Sequence, residues 1–379
     1  MTTAGSTTRA AAGSTAAAST AAASAAAASA APAEGAPRRG LVLGGGGMLG
    51  AAWTVGALCA VEEATGARAG AADVLLGTSA GAILAAMLAG GVRPEQLRDH
   101  QRGLPITEGP LAGVAFDYDT AVGGALPPRP RAGIGSPGLL RDAVRHPREY
   151  PLLTMVSAMA PHGRGSLASV GDLVRGLLGP GGWPTAGSAE ASAAAAPLRV
   201  AAVDYGSGRR VVFGDPDAPA VAVADAVMAS CAIPGWFVPV RLNGSAYVDG
   251  GCWSATNADL MLGRGLDEVY VLAPMALRLA PRAERSARWG TSAALREWRA
   301  RERPRGVLAQ LLGRYRRSVT RQLLREAALL RAEGVRVRLL APTLADLAVM
   351  GPNMMDPTRR GEVLESGLRT AREVLGAAR

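Results

Sequence analysis

The stretch Asp73-Val74-Leu75-Leu76-Gly77-Thr78-Ser79-Ala80-Gly81, followed by an apolar run through Ala89, decides how the rest of the chain is read. Val74 to Leu76 predict a short buried strand, Gly77 to Gly81 a sharp turn, and the run beyond it a helix. Ser79 stands at the tip of that turn, with Gly77 and Gly81 two positions to either side in the pattern G-x-S-x-G. A serine forced onto a tight strand-to-helix turn crowds those two neighbours, so they must lack side chains. The helix that follows directs its positive N-terminal end at charge developing near the hydroxyl. The pattern also arises by chance in a glycine-rich chain. The strand before it and the helix after it are what make Ser79 a candidate nucleophile.

Upstream, Leu41-Val42-Leu43 predicts a brief strand, and Gly44-Gly45-Gly46-Gly47-Met48-Leu49-Gly50 opens a helix running to about Glu63. Four consecutive glycines cost backbone entropy and so need a reason. A loop of bare N–H groups at a helix N-terminus, aimed into a cavity to hold an oxyanion, supplies one. Gly45, Gly47 and Gly50 also satisfy the dinucleotide pattern G-x-G-x-x-G, but Asp73, at the right distance, begins its strand where that fingerprint wants an acid at a strand's end. A Walker loop fails for want of Lys-Ser/Thr, and a merely permissive turn is the remaining reading. Strand, glycine loop, helix, strand, serine turn and helix make a parallel βαβ unit and point to a doubly wound α/β sheet. Both loops then lie at carboxyl ends of parallel strands, where such sheets bind ligands.

The net charge is +10, and all 41 basic residues are arginine. A composition without lysine reflects coding bias as much as function, yet the excess favours acidic surfaces such as anionic lipid or nucleic acid. Cys59, Cys231 and Cys252 have no metal-ligand spacing, and an odd count argues for reduced packing residues in a cytoplasmic protein. Residues 1–37, almost entirely Ala, Ser, Thr and Gly, predict a disordered leader; with Arg9 as its lone cation and no unbroken apolar core it fits an export signal less well. Val74 to Val92 carries no charge, but its glycines and Ser79 mark a buried strand and helix, not a membrane span.

Beyond Gly91 the sequence is irregular to about Leu198, with a flexible insertion expected over about 179–197. Leu139 to Val144 and Leu167 to Leu178 predict short amphipathic helices. The apolar run Tyr150 to Met159 is expected to face the core, a flap over the site being the alternative. Leu198 to Asp204 is a strand, Gly206-Ser207-Gly208 a hairpin turn, Arg210 to Phe213 its partner, and Val221 to Ser230 a helix. Gly244 to Val248 leads into Asp249-Gly250-Gly251, a carboxylate before two glycines that suits either an ordinary turn or a loop approaching another backbone closely.

A serine hydroxyl needs a base within hydrogen-bond reach. His100, His146 and His162, the only histidines, sit in polar or Pro/Gly-flanked stretches. The order Ser, acid, His of α/β-hydrolases would recruit Asp117 or Asp119 with His146 or His162, all in the irregular region, and that fold places several strands before its serine where this chain has one. A carboxylate acting directly on Ser79 is the better reading, and Asp249 is the best candidate.

Glycine loop, G-x-S-x-G, Ala229-Ser230-x-Ala232-x-Pro234-x-x-Phe237 and Asp-Gly-Gly, in that order, resemble the patatin-like phospholipases, from about Gly40 to Pro274 and more weakly through Asp346 to Asp356. The resemblance implies a three-layer α/β/α sandwich with a mainly parallel central sheet, Ser79 as nucleophile, Asp249 as its base, and an oxyanion hole from the N–H groups of Gly45, Gly46 and Gly47. Gly50, Gly77, Gly81, Gly250 and Gly251 support those motifs. The substrate implied is a phospholipid or other acyl ester, with no metal or other cofactor. Where family members often carry Arg or Lys before the last loop glycine, this chain has Leu49, which bears on head-group preference more than on hydrolysis. A small-ester or thioester hydrolase, and a non-catalytic lipid-binding protein on the same fold, are the alternatives.

The chain is expected to divide into the leader, a catalytic domain over 38–275, and a basic, mostly helical extension over 276–379 packed on it. Arg278 to Arg338 holds 17 arginines against 5 glutamates. Tyr315, Val319, Leu323, Ala327 and Leu330 recur at helical spacing between Arg316, Arg317, Arg321, Arg325 and Arg331, which suits a helix on the sheet with a solvated basic face, or one docked peripherally on anionic lipid. Nucleic-acid binding is disfavoured, as no aromatic interleaving accompanies the charge. A last strand over Val335 to Leu340 and a closing helix over Glu362 to Leu375 complete the reading, which leaves the oligomeric state open.

Overall fold

The computed structural model describes residues 37–114, 116–117, 126, 128–183, 198–278 and 307–376, with backbone alone at 307–309 and 311. The expected leader up to residue 36, residues 184–197 of the expected insertion, Asp119 and the arginine-rich residues 279–306 lie outside them.

β1 (Arg39–Leu43) leads through the glycine loop into α1 (Gly47–Thr65), and β2 (Val74–Thr78) turns at Ser79 into α2 (Ala80–Ala89). α3 (Pro94–Gln101), α4 (Pro137–Arg145), α5 (Leu152–Met159) and α6 (Ala168–Leu178) precede β3 (Leu198–Asp204) and its hairpin partner β4 (Arg210–Phe213). Then come α7 (Val223–Cys231), β5 (Val240–Leu242), β6 (Ser245–Asp249) and β7 (Glu268–Leu272). The carboxyl-terminal part supplies α8 (Val307–Ala332), β8 (Arg336–Leu340), α9 (Leu344–Met350) and α10 (Arg360–Gly376).

The strands form one sheet, hydrogen-bonded along the path β5-β6-β3-β2-β1-β7-β8, with β4 on the other edge of β3. Pairings from β3 through β2, β1 and β7 to β8 are parallel, and those of β4, β5 and β6 antiparallel. A parallel sheet must be covered on both faces, and side-chain alternation shows that it is. Leu41, Leu43, Leu75 and Leu272 join a core with α1, α2, α7 and α10. Val42, Val74, Leu76, Val269 and Val271 point the other way, into a core with Val319, Leu323 and Leu330 of α8. The result is a three-layer α/β/α sandwich.

The carboxyl-terminal residues are structural parts of it. β8 extends the sheet beside β7, α10 packs along α1, and α8 covers the second face. The apolar stripe read on α8 is therefore core, with Ala327 and Leu330 fully buried. Arg316 departs from expectation: it is buried, its guanidinium donating to Pro274 O at 3.1 Å and lying against the Met350 and Met354 sulfurs, not on a solvated basic face. The Tyr150–Met159 run also departs from expectation, because Leu152, Val156 and Met159 face outward. Among the described residues, no helix is long and apolar enough to cross a membrane.

Candidate active site

Ser79 sits between β2 and α2 at φ 55°, ψ −128°, a backbone conformation that an L-residue adopts only under constraint. The constraint is visible on both sides. A Cβ on Gly77 would lie 2.4 Å from Ala82 Cα, and one on Gly81 would lie 2.0 Å from Leu43 O, so only glycine fits at either place. The Ser79 N–H donates to Ser230 Oγ at 2.8 Å, and that hydroxyl donates to Ala201 O at 2.6 Å. α7 thereby ties the turn to β3.

β3 also brings in the carboxylate. Val200 and Ala201 pair with β2 and with β4, so those strands occupy opposite edges of β3. Ala202 and Val203 pair with β4 and with β6, so β6 shares the edge used by β2. The two strands run toward each other along it, Thr78 opposite Ala201 and Asp249 opposite Ala202. Residue 79 and Asp249 are thus neighbours because two strands abut end to end. A Cβ on Gly250 would sit 2.3 Å from Ala201 O and 3.2 Å from Thr78 Cγ2, which is the close approach that the Asp-Gly-Gly sequence left open.

Ser79 is 7% and Asp249 5% exposed. Asp249 Oδ1 accepts from the Gly251 N–H at 2.7 Å. Oδ2 is sealed from solvent and has no aligned donor, while the Ser79 hydroxyl is the side-chain donor that acts on the carboxylate. Burial pushes the Asp249 carboxyl up to about 6, against the opposing pulls of Ser79 and the Gly251 N–H.

The glycine loop lies alongside. Gly45, expected as an oxyanion donor, is not one: its N–H is committed to Ala255 O at 2.8 Å. Its bareness serves Ser79 instead, since an added Cβ would stand 3.0 Å from Ser79 Cβ. Gly46 and Gly47 line the cavity beside Ser79 and Asp249, and their N–H groups meet no acceptor among the described residues. Gly47 has φ +62°. Gly50 donates to Gly46 O at 3.0 Å, closing the first turn of α1 against Pro274. The Ala80 N–H, at the head of α2, likewise has no backbone acceptor, and sequence reading had overlooked it. Its position directly after the serine was the available signal.

Two cavities meet at Ser79. One, of about 360 Å³, holds Asp249, Gly45 to Gly47, Tyr315 and the inner side of α5. The other, narrower at about 80 Å³, runs between α1, α2 and α6 and is lined by apolar side chains including Ile83, Leu84, Met87, Val170 and Phe237. No histidine lines either. The His100 and His162 rings lie against Val114 O and Gly135 O, and His146 is exposed between Asp142 and Glu149. Among the described residues no group of three or more His, Cys, Asp or Glu could share a metal ion.

The sequence profile of the patatin-like phospholipases matches residues 41–262, more than half of the chain. The chain belongs to that family. Membership makes it a lipid acyl hydrolase at the level the family shares. No curated protein matches it in sequence. Among solved structures, VipD from Legionella pneumophila is similar to it at 15% identity and a TM-score of 0.42, covering 90% of this chain and 67% of that one. In this patatin-like chain Leu49 is fully buried, its N–H donating to Met354 O at 2.9 Å.

The patatin-like match ends before β7, yet residues beyond it reach the site. Glu326 of α8 is buried and accepts from Ser254 Oγ and Thr256 Oγ1, each at 2.6 Å, and from the Ala258 N–H at 2.9 Å. It clamps the segment after Asp-Gly-Gly, including Ala255 and Asn257. Asn257 in turn donates to Ser254 O at 2.6 Å and Thr78 Oγ1 at 3.1 Å. Desolvation raises the Glu326 pKa. Nothing in the spacing of α8 marked Glu326, because its partners lie about 70 positions away.

Proposed function

We propose that Ser79 and Asp249 are the nucleophile and base of a serine lipid acyl hydrolase that cleaves phospholipid or lysophospholipid esters through an acyl-enzyme. The observation that carries the reading is the junction of β2 and β6 on one edge of β3, where a constrained serine and a buried carboxylate share a cavity with unpaired amides. Asp249 takes the proton from Ser79 Oγ as that oxygen attacks the ester carbonyl. The tetrahedral oxyanion is held by the N–H groups of Gly46 and Gly47, with Ala80 as a third donor, each worth about 3 kcal/mol in comparable sites. The protonated Asp249 then gives its proton to the departing alcohol, leaving the acyl group on Ser79. Water, deprotonated by Asp249, attacks that ester, and the proton passes from Asp249 to Ser79 Oγ as the acyl–serine bond breaks and the fatty acid leaves. The apolar cavity between α1, α2 and α6 suits the acyl chain, and the wider one suits the leaving alcohol.

A fluorophosphonate probe tests the nucleophile, and a panel of phospholipids, lysophospholipids and p-nitrophenyl esters tests the substrate. Labelling of the parent protein that is absent in Ser79→Ala is the expected result. No labelling at all would leave a lipid-binding protein on a hydrolase fold. Hydrolysis confined to short esters would make it a small-ester hydrolase.

A further inference from the structure

α5 is built inside out. Leu152, Val156 and Met159 fall at i, i+4 and i+7, one stripe of a helix, and they are 75%, 47% and 53% exposed. The opposite face, turned inward, carries Thr154, Ser157 and Ala158. Hydrogen bonds fix that orientation. Thr154 Oγ1 donates to Cys252 O at 2.7 Å, and Tyr205 OH donates to Ser157 O at 2.8 Å. A helix that turns its large apolar residues to solvent and its hydroxyls to the core has a partner other than water.

The stripe does not stand alone. Of the ten large hydrophobic residues exposed among the described residues, six lie between 126 and 159, Ile134 and Val144 among them. Ile134 is beside the end of α5, because Ser136 N–H donates to Ala158 O and Arg131 N–H to His162 O. Over residues 126–164 the exposed cations Arg129, Arg131, Arg141, Arg145, Arg148 and Arg164 outnumber the acids Asp142 and Glu149. The patch is thus apolar and positive at once. It also rims the site: Leu153, Val156, Ser157 and Ala160 line the cavity that holds Asp249.

We infer that this face, the outward stripe of α5 with the arginines of α4 and its flanks, docks on an anionic lipid bilayer and opens the Asp249 cavity onto the membrane. The inference rests on the lipid hydrolase reading for what the cavity receives. Charge decides between occupants. A second copy seated on this face by a twofold would set the same arginines against one another, whereas an anionic leaflet pairs with them and takes up the apolar stripe. The basic helix α8 is the poorer docking element, since its apolar stripe is consumed by the sheet.

The test uses the Ser79→Ala protein, which separates docking from hydrolysis. It is sedimented with vesicles of phosphatidylcholine alone and of equal parts phosphatidylcholine and phosphatidylglycerol. Stronger binding to the mixed vesicles is expected. Leu152→Glu/Met159→Glu and Arg141→Glu/Arg145→Glu should each lower partitioning at least about tenfold with an unchanged melting temperature, while Arg321→Glu/Arg325→Glu on α8 leaves it as it was. Partitioning that none of the α4–α5 variants reduces, or no binding to mixed vesicles, would overturn the inference. So would a dimer in lipid-free solution that those variants dissolve without altering vesicle binding. A parent protein that binds vesicles through α5 yet resists fluorophosphonate would refute the hydrolase and leave the docking face standing.

Discussion

Replacing Asp249 by Asn should make the protein more stable and inactive, and the size of the gain follows from the burial of the carboxylate. The side chain is isosteric, keeps an acceptor for the Gly251 N–H, and turns an amide toward Ser79. In the folded protein the carboxyl titrates at about 6 in place of 3.8. At 1.36 kcal/mol per tenfold change in acidity, keeping it ionised in its buried place costs about 3 kcal/mol. The sign follows from the direction. A folded-state pKa above the unfolded one gives stability that is whole below about pH 4 and is lost as pH rises through about 6. The wild type should therefore weaken by about 3 kcal/mol between those limits while Asp249→Asn does not. With unfolding entropy of about 2 cal/mol/K per residue, that is a melting-temperature gap on the order of 4 °C at pH 8, closing in acid. Differential scanning fluorimetry across pH measures it, and hydrolysis of a soluble ester measures the accompanying loss of turnover. Wild-type kcat/KM should fall about tenfold per pH step below about 6. Melting curves of the two proteins that run parallel at every pH would refute the claim that a costly, buried carboxylate is maintained here.

Ser79→Gly should raise stability by about 1 kcal/mol in urea denaturation, because glycine relieves the constraint at φ 55°, and should abolish labelling. Ser230→Ala strips the Ser79 N–H of its acceptor and Ala201 O of its donor; we expect a loss of about 2–4 kcal/mol and a fall in kcat larger than the change in KM, read by steady-state kinetics. Glu326→Ala leaves two hydroxyls and the Ala258 N–H without their acceptor, so it should cost about 3 kcal/mol and lower ester turnover, although no atom of Glu326 lines either cavity.

What the sequence disclosed was local. β2 and α2 follow from a run of apolar residues broken by Gly77 and Gly81, and α2 ends at Ala89 as read. The β3–β4 hairpin follows from Gly206-Ser207-Gly208 between two apolar runs. The site was legible as separate motifs because each glycine pattern is contiguous in sequence, although Gly77 meets its own turn while Gly45, Gly81 and Gly250 are kept bare by distant segments. What stayed hidden was non-local. The committed amide of Gly45 depends on Ala255, more than 200 positions away, and no spacing encodes it. The apolar run at 152–159 reads as core because hydropathy says how greasy a helix is, not which side its neighbours leave open. Arg316 reads as surface for the same reason: charge alone does not reveal that Pro274 O and two methionine sulfurs receive it.

The meeting of β2 and β6 on a single edge has a consequence for how this protein can fail. Serine and carboxylate are aligned by sheet pairing and not by loops that could adapt, so their separation is quantised by residue. Deleting or inserting one residue in β6 would turn the carboxylate to the other face of the sheet. Fraying of the last rung at Ala202 would silence the chemistry while the rest of the molecule stayed folded.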